Sequence, residues 1–142
     1  MTTEEARSLL EMEKHSPQGE EHTFPPPGKR LCLELFSREP RLEFLLDISR
    51  GTIRITKYTF QNRGFKSVVL ARLDIDGNPH RNPDGEDIGR THLHLYDELY
   101  GDKWAYPPPP IFTNPCDAFL TLDQFLDFCH VVTKPVISRG LF

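Results

Sequence analysis

No stretch of this 142-residue chain approaches the roughly 20 consecutive apolar residues that a membrane-spanning helix needs. The opening MTTEEARS has no basic-then-apolar leader, so a cytoplasmic protein without a membrane partner is expected. Cysteine is sparse. Cys32, Cys116 and Cys129 are odd in number and lack CxxC spacing, which argues for reduced, mostly buried thiols rather than a disulfide framework. Also missing are a Ser-His-Asp order, a glycine-rich phosphate loop and a helix-turn-helix pattern. Nothing in the chain is a diagnostic catalytic signature.

Acidic residues are absent from one long interval. Between Arg50 and Leu73 stand six basic residues (Arg50, Arg54, Lys57, Arg63, Lys66 and Arg72) and no acid, whereas residues 1 to 49 hold ten acids and six bases. The net charge of −4 argues against a general polyanion binder, but the local strip suits a phosphate group or an RNA backbone. The same side chains would equally protect a sheet edge. The length fits one domain able to bury its own core, and no repeat or boundary divides residues 1 to 142.

Periodicity predicts an α+β domain: a mainly antiparallel sheet of four to six strands flanked by an N-terminal and a C-terminal helix. Thr2 and Glu5 have capping-box spacing, and Ala6, Leu9 and Leu10 follow at helical intervals, giving a first helix over about residues 3 to 14. Alternation marks strands at Leu31–Leu35, Leu42–Ile48 and Ile53–Ile55, with Ser49-Arg50-Gly51 as a tight turn. Gln61–Gly64 reads as a second turn leading into Val69, Ala71, Leu73 and Ile75. Thr121 and Gln124 read as the cap of a second helix carrying Leu122, Phe125, Leu126, Cys129 and Val132.

The segment from Asp74 to Trp104 concentrates the chemistry-bearing residues. DGNPHRNPDGED is a long, turn-rich loop, and THLHLYD resumes strand alternation after it. If Leu93 and Leu95 face the core, His92, His94 and Tyr96 share the other face. The same parity puts Arg54, Tyr58, Arg72 and Asp74 there, with Lys57 nearby and His80, Asn82 and Asp84 at the loop's rim. Two chemistries suit this set. In metal-free phosphodiester cleavage, a histidine removes a ribose proton, a second acid protonates the leaving oxygen, and arginine steadies the phosphorane; Arg54, Tyr58, Arg72, His92 and His94 are the candidates. Alternatively, the HxH pair supplies two metal ligands and His80, Asp74 or Asp84 a third. Hydrogen-bonded structural histidines are the bland reading, and no cofactor is assigned.

A calcium loop is excluded, because Pro79 stands where the turn glycine belongs and Gly85 where the bidentate acid belongs. Asp76-Gly77 and Pro83-Asp84-Gly85 read instead as turns folding the loop over the histidine strand, their acids orienting His80 or His92. Tyr100 and Trp104 follow, either to stack on unpaired bases or to pack in the core.

The run RLDIDGNPHRNPDGEDIGRTHLHLYDELYGDKWAYP resembles the centre of a family of small bacterial and phage proteins, a domain of unknown function. The opening EEARSLLEMEK, the SRGTIRITKYTFQNR hairpin and the closing RGLF extend the likeness over nearly the whole chain. The resemblance implies a phage or mobile-element setting and no particular activity. Two functions are expected to compete, with a metal-dependent hydrolase as a third. One is an RNA-acting protein of phage–host or toxin–antitoxin conflict; the other is a non-catalytic protein that inhibits a host or phage protein.

Overall fold

Thr2 caps the first helix as its spacing predicts, with the Glu5 N–H donating to Thr2 Oγ1 at 3.0 Å. The computed structural model describes residues 1–140; within the RGLF motif, Leu141 and Phe142 lie outside the described residues. The elements are α1 (Thr3–Glu11), β1 (Lys14–His15), β2 (Glu21–Thr23), β3 (Arg30–Phe36), β4 (Glu43–Arg50), β5 (Tyr58–Gly64) and β6 (Val68–Ile75). There follow β7 (His80–Arg81), β8 (Asp87–Ile88), β9 (His92–Leu95), β10 (Ala105–Tyr106), α2 (Ala118–Phe128), β11 (Val131–Thr133) and β12 (Val136–Ser138).

The fold is α+β, with both helices against a mainly antiparallel sheet. That sheet has eight strands, in the order β10-β9-β6-β5-β4-β3-β1-β11, where four to six were expected. The surplus comes from β1, β10 and β11, which are two or three residues long and leave no periodic signal. Within it, β3 to β6 form the expected meander, and only β1 and β11 pair in parallel.

Leu33, Leu35, Phe44, Leu46, Ile48, Phe60, Leu73 and Leu93 fill one face of the sheet, closed by Ala6 and Leu9 of α1 and by Leu122, Phe125 and Leu126 of α2. Among the described residues, no helix covers the opposite face. Strand registers lay two polar rows across it: Cys32–Asp47–Gln61–Arg72–His94, and Arg30–Ser49–Thr59–Asp74–His92. The second ends of these rows make the site.

Several boundaries differ from expectation. Ile53 and Ile55 form no strand; Ile53 is 99% exposed in a loop at 51–57. That loop closes on itself, with Gly51 N–H donating to Lys57 O and Lys57 N–H to Arg54 O. A Cβ at Gly51 would stand 2.5 Å from Arg54 O, so only glycine fits. The next turn falls at Phe65 and Lys66, both at positive φ, and Gln61–Arg63 lie inside β5. In α2 the cap is Asp117, whose Oδ1 accepts from Leu120 N–H at 3.1 Å, while Thr121 lies one turn inside and donates to Asn114 O. Val132 belongs to β11 rather than to the helix. Of the thiols, only Cys129 is buried; Cys32 and Cys116 are exposed.

Two charged groups carry much of the polar architecture. Lys14 is fully buried, and its Nζ donates to Leu9 O, Leu10 O and Met12 O at the end of α1 and to Cys129 O at the end of α2, all within 3.0 Å. One ammonium thus serves the open carbonyl ends of both helices. Burial pushes its pKa down to about 8. Across the open face, Arg63 grips Asp47 through Nε–Oδ2 at 2.6 Å and Nη2–Oδ1 at 2.9 Å, and Gln61 Nε2 adds a bond at 2.9 Å. Burial would raise the Asp47 pKa, but these donors outweigh it and hold it below the usual value.

Lys14→Met keeps the apolar stem and strands the carbonyls; urea unfolding at neutral pH should report a loss of about 3 kcal/mol. A loss below about 1 kcal/mol would remove Lys14 from this role. For Asp47, the folded-state pKa is the lower one, so its stabilisation is complete above the ordinary carboxyl pKa and disappears as pH falls through the folded value. Unfolding curves for Asp47→Asn should therefore show a smaller stability drop between about pH 6 and about pH 3 than the parent chain.

Candidate functional site

Cross-strand pairing builds the site. Asp74 lies opposite His92 and Arg72 opposite His94, so β6 and β9 bring all four to the open face, as parity predicts. One oxygen collects three of them: Asp74 Oδ2 lies 3.2 Å from His92 Nε2, 3.2 Å from His94 Nε2 and 3.3 Å from Arg72 Nε. The other oxygen accepts from Thr59 Oγ1 at 3.0 Å. Arg72 also reaches Asp102 Oδ2 at 3.0 Å.

Both histidines are deep, at 3% exposure for His92 and 1% for His94. His92 Nδ1 donates to Gly89 O at 2.7 Å, which fixes the ring and turns Nε2 toward Asp74. Burial lowers the His92 pKa, but the bonds to Asp74 and to the Gly89 carbonyl outweigh it and the net direction is upward. Burial would likewise raise Asp74, yet His92, His94, Arg72 and Thr59 hold it far below the usual carboxylate range. His94 Nδ1 is buried with no hydrogen-bond partner among the described residues.

The loop roofs this floor. β7 and β8 pair, and Asn82 between them is buried. Its side chain donates to Ala105 O at 2.9 Å and accepts from Ala105 N–H at 2.8 Å, tying the loop to β10. His80 Nε2 donates to Lys103 O at 2.7 Å, and its ring centroid stands 4.7 Å from that of His94 and 5.5 Å from that of His92. The result is a cavity of about 400 Å³ lined by Lys57, Arg72, Asp74, His80, His92 and His94, among others.

Other expected members lie elsewhere. Tyr58 sits on the core face against Phe24 and Phe60, because β5 starts at Tyr58 and sets its own parity. Arg54 is off the cavity wall, in the 51–57 loop, bonded to Asp76 at 3.4 Å. Tyr96 follows the last residue of β9 and turns to α1, its hydroxyl donating to Met1 O at 2.8 Å. Asp84 is a turn residue that accepts from Glu86 N–H, and Asp76 is engaged by Arg54 and Thr56; neither orients a histidine. Tyr100 and Trp104 stack on each other at 5.5 Å. The groups that do orient the rings, the Gly89 and Lys103 carbonyls, are backbone atoms and have no sequence signature. Asp102, the second partner of Arg72, is a missed side chain.

Chemically, the cavity offers two cations, one carboxylate and three imidazoles at short range. Such a set can hold an anion, move a proton or hold a dication. Asn82→Ala should cost about 2 kcal/mol, since it leaves buried backbone groups of Ala105 unpaired. It should also speed amide hydrogen exchange across residues 77–91 selectively; unchanged exchange there would show that the loop is held by other contacts.

No curated protein and no solved structure matches the chain. Residues 1–131, nearly the whole of it, match a family of unknown function, and the protein belongs to that family, DUF6978.

Proposed function

We propose that the protein acts on RNA, cleaving a phosphodiester held in the cavity beneath the β7–β8 loop. The observation that carries this reading is the cavity's lining, in which Lys57 and Arg72 share one wall space with His80, His92 and His94. Lys57 makes no ion pair among the described residues and is the cation most available to a phosphate. Arg72 is tied to two carboxylates and serves better as a fixed positive wall.

Burial redistributes the proton-transfer roles. His80 is the half-exposed imidazole, and since Nε2 donates to Lys103 O, its Nδ1 is the nitrogen left for substrate. In the reaction, His80 takes the proton of a ribose 2′-hydroxyl, that oxygen bonds to phosphorus, and the bond to the 5′-oxygen breaks. The Asp74–His92–His94 cluster stabilises or protonates the departing oxygen. The setting proposed for this activity is phage–host or toxin–antitoxin conflict.

A second reading is favoured by a specific observation. The two turns that flank the cavity bear bare apolar side chains, Ile53 and Ile55 on one and Leu99, at 81% exposure, and Tyr100 on the other. These suit a non-catalytic contact with an inhibited host or phage protein.

Expression in bacteria of the parent chain, His80→Ala and the His92→Ala, His94→Ala double variant, with total RNA examined, tests the proposal. Cleavage by the parent, reduced about 100-fold or more in His80→Ala, is expected. Intact RNA and equal growth in all three would remove the nuclease reading and leave the interaction reading.

A further inference from the structure

We infer that Asp74, His92 and His94 form a binding site for one transition-metal dication of the zinc class. The inference rests on this cavity being the working site, but it stands on its own geometry. Ligand atoms of the three side chains all lie within 4.8 Å of one another. The two shortest separations, from Asp74 Oδ2 to each Nε2, are both 3.2 Å.

That spacing is informative. A charge-assisted N–H···O bond closes to about 2.7–2.9 Å. Two ligand atoms bound at about 2.0–2.1 Å around a tetrahedral ion instead stand about 3.3 Å apart. Both imidazoles meet the same oxygen, Asp74 Oδ2, through Nε2 and at the same separation, so one ion could be shared by all three side chains.

The tautomer of His92 points the same way. Its Nδ1 proton is committed to the Gly89 carbonyl, the usual support behind a metal-bound imidazole. With Nδ1 so committed, Nε2 is the nitrogen turned toward Asp74 and offered to an ion. Two imidazoles select a borderline transition metal over magnesium or calcium. Three protein ligands leave at least one position open, and it opens into the cavity that Lys57 and Arg72 line. An ion there would carry out the stabilisation of the leaving oxygen assigned above to the cluster, leaving His80 as the proton-transfer group.

Chelator-stripped full-length protein titrated with zinc and with cobalt(II), by calorimetry and visible absorption, tests the site. One ion per chain is expected, with a cobalt spectrum of nitrogen and oxygen ligands. Affinity should fall about 100-fold or more in Asp74→Asn and His92→Ala and stay unchanged in His22→Ala, whose ring lies outside the cavity. Should a variant fail to fold, ring resonances of the parent decide: zinc should shift those of His92 and His94 and leave His22 in place. No binding, a thiolate charge-transfer band or equal affinity in all variants would overturn the site. Zinc binding with intact RNA keeps the metal site and removes the nuclease reading. Chelator-resistant cleavage without binding does the reverse.

Discussion

The Asp74 carboxylate is the constraint on which the open face is organised. It is surrounded by two nearly buried imidazoles, a guanidinium and a hydroxyl, so its charge is compensated from four directions. A carboxylate taken this far from water without such partners would neutralise itself by taking up a proton. The partners are supplied by registry alone: β9 sets His92 against Asp74 and His94 against Arg72, and β5 sets Thr59 on the far side. A one-residue slip of β9 would send both histidines to the core face and leave the charge uncompensated. Hydrophobic alternation on the inner face and charge compensation on the outer face therefore enforce the same register.

The loop depends on that floor and also completes it. Gly89 O, which orients His92, and His80, which stands over both rings, belong to the segment between β6 and β9. Asn82 replaces ladder bonds that β10 would otherwise lack, so the loop is ordered by backbone satisfaction rather than by apolar packing. A twelve-residue connection rich in turn formers can be held this way because its one buried amide does what a longer strand pair would do.

The part of the site legible in the sequence was the part that followed from period two within an uninterrupted strand. Arg72, Asp74, His92 and His94 share a face because β6 and β9 are continuous where those residues fall. The same rule failed where a strand was assumed to continue. Ile53 and Ile55 alternate with polar residues but close a loop around Gly51, so parity counted from them misplaced Tyr58. Tyr96 sits just past the end of β9 and escapes its alternation. Likewise Lys14 could not be read as core, since its burial requires two helix ends that are distant in sequence to meet at one ammonium. The meander and both helices were visible because they repeat a local pattern; β1, β10 and β11 were not, because two or three residues carry no period.

The cationic strip changes meaning once its partners are known. Arg63 is spent on Asp47, Arg54 on Asp76 and Arg72 on Asp74 and Asp102, while Arg50 lies over the Tyr58 ring. Paired arginines release few counterions when a polyanion approaches, so the hairpin is not a track along which a nucleic acid backbone is bound by charge alone. On the proposed reading, a phosphate in the cavity would meet Lys57 and the groups around Asp74 rather than the strip. This agrees with a net charge of −4, which would resist a long polyanion but not a single anionic group drawn into a local positive wall. On that reading selectivity would come from the roof, where His80, Gly77 and Pro79 line the cavity, rather than from the cationic strip.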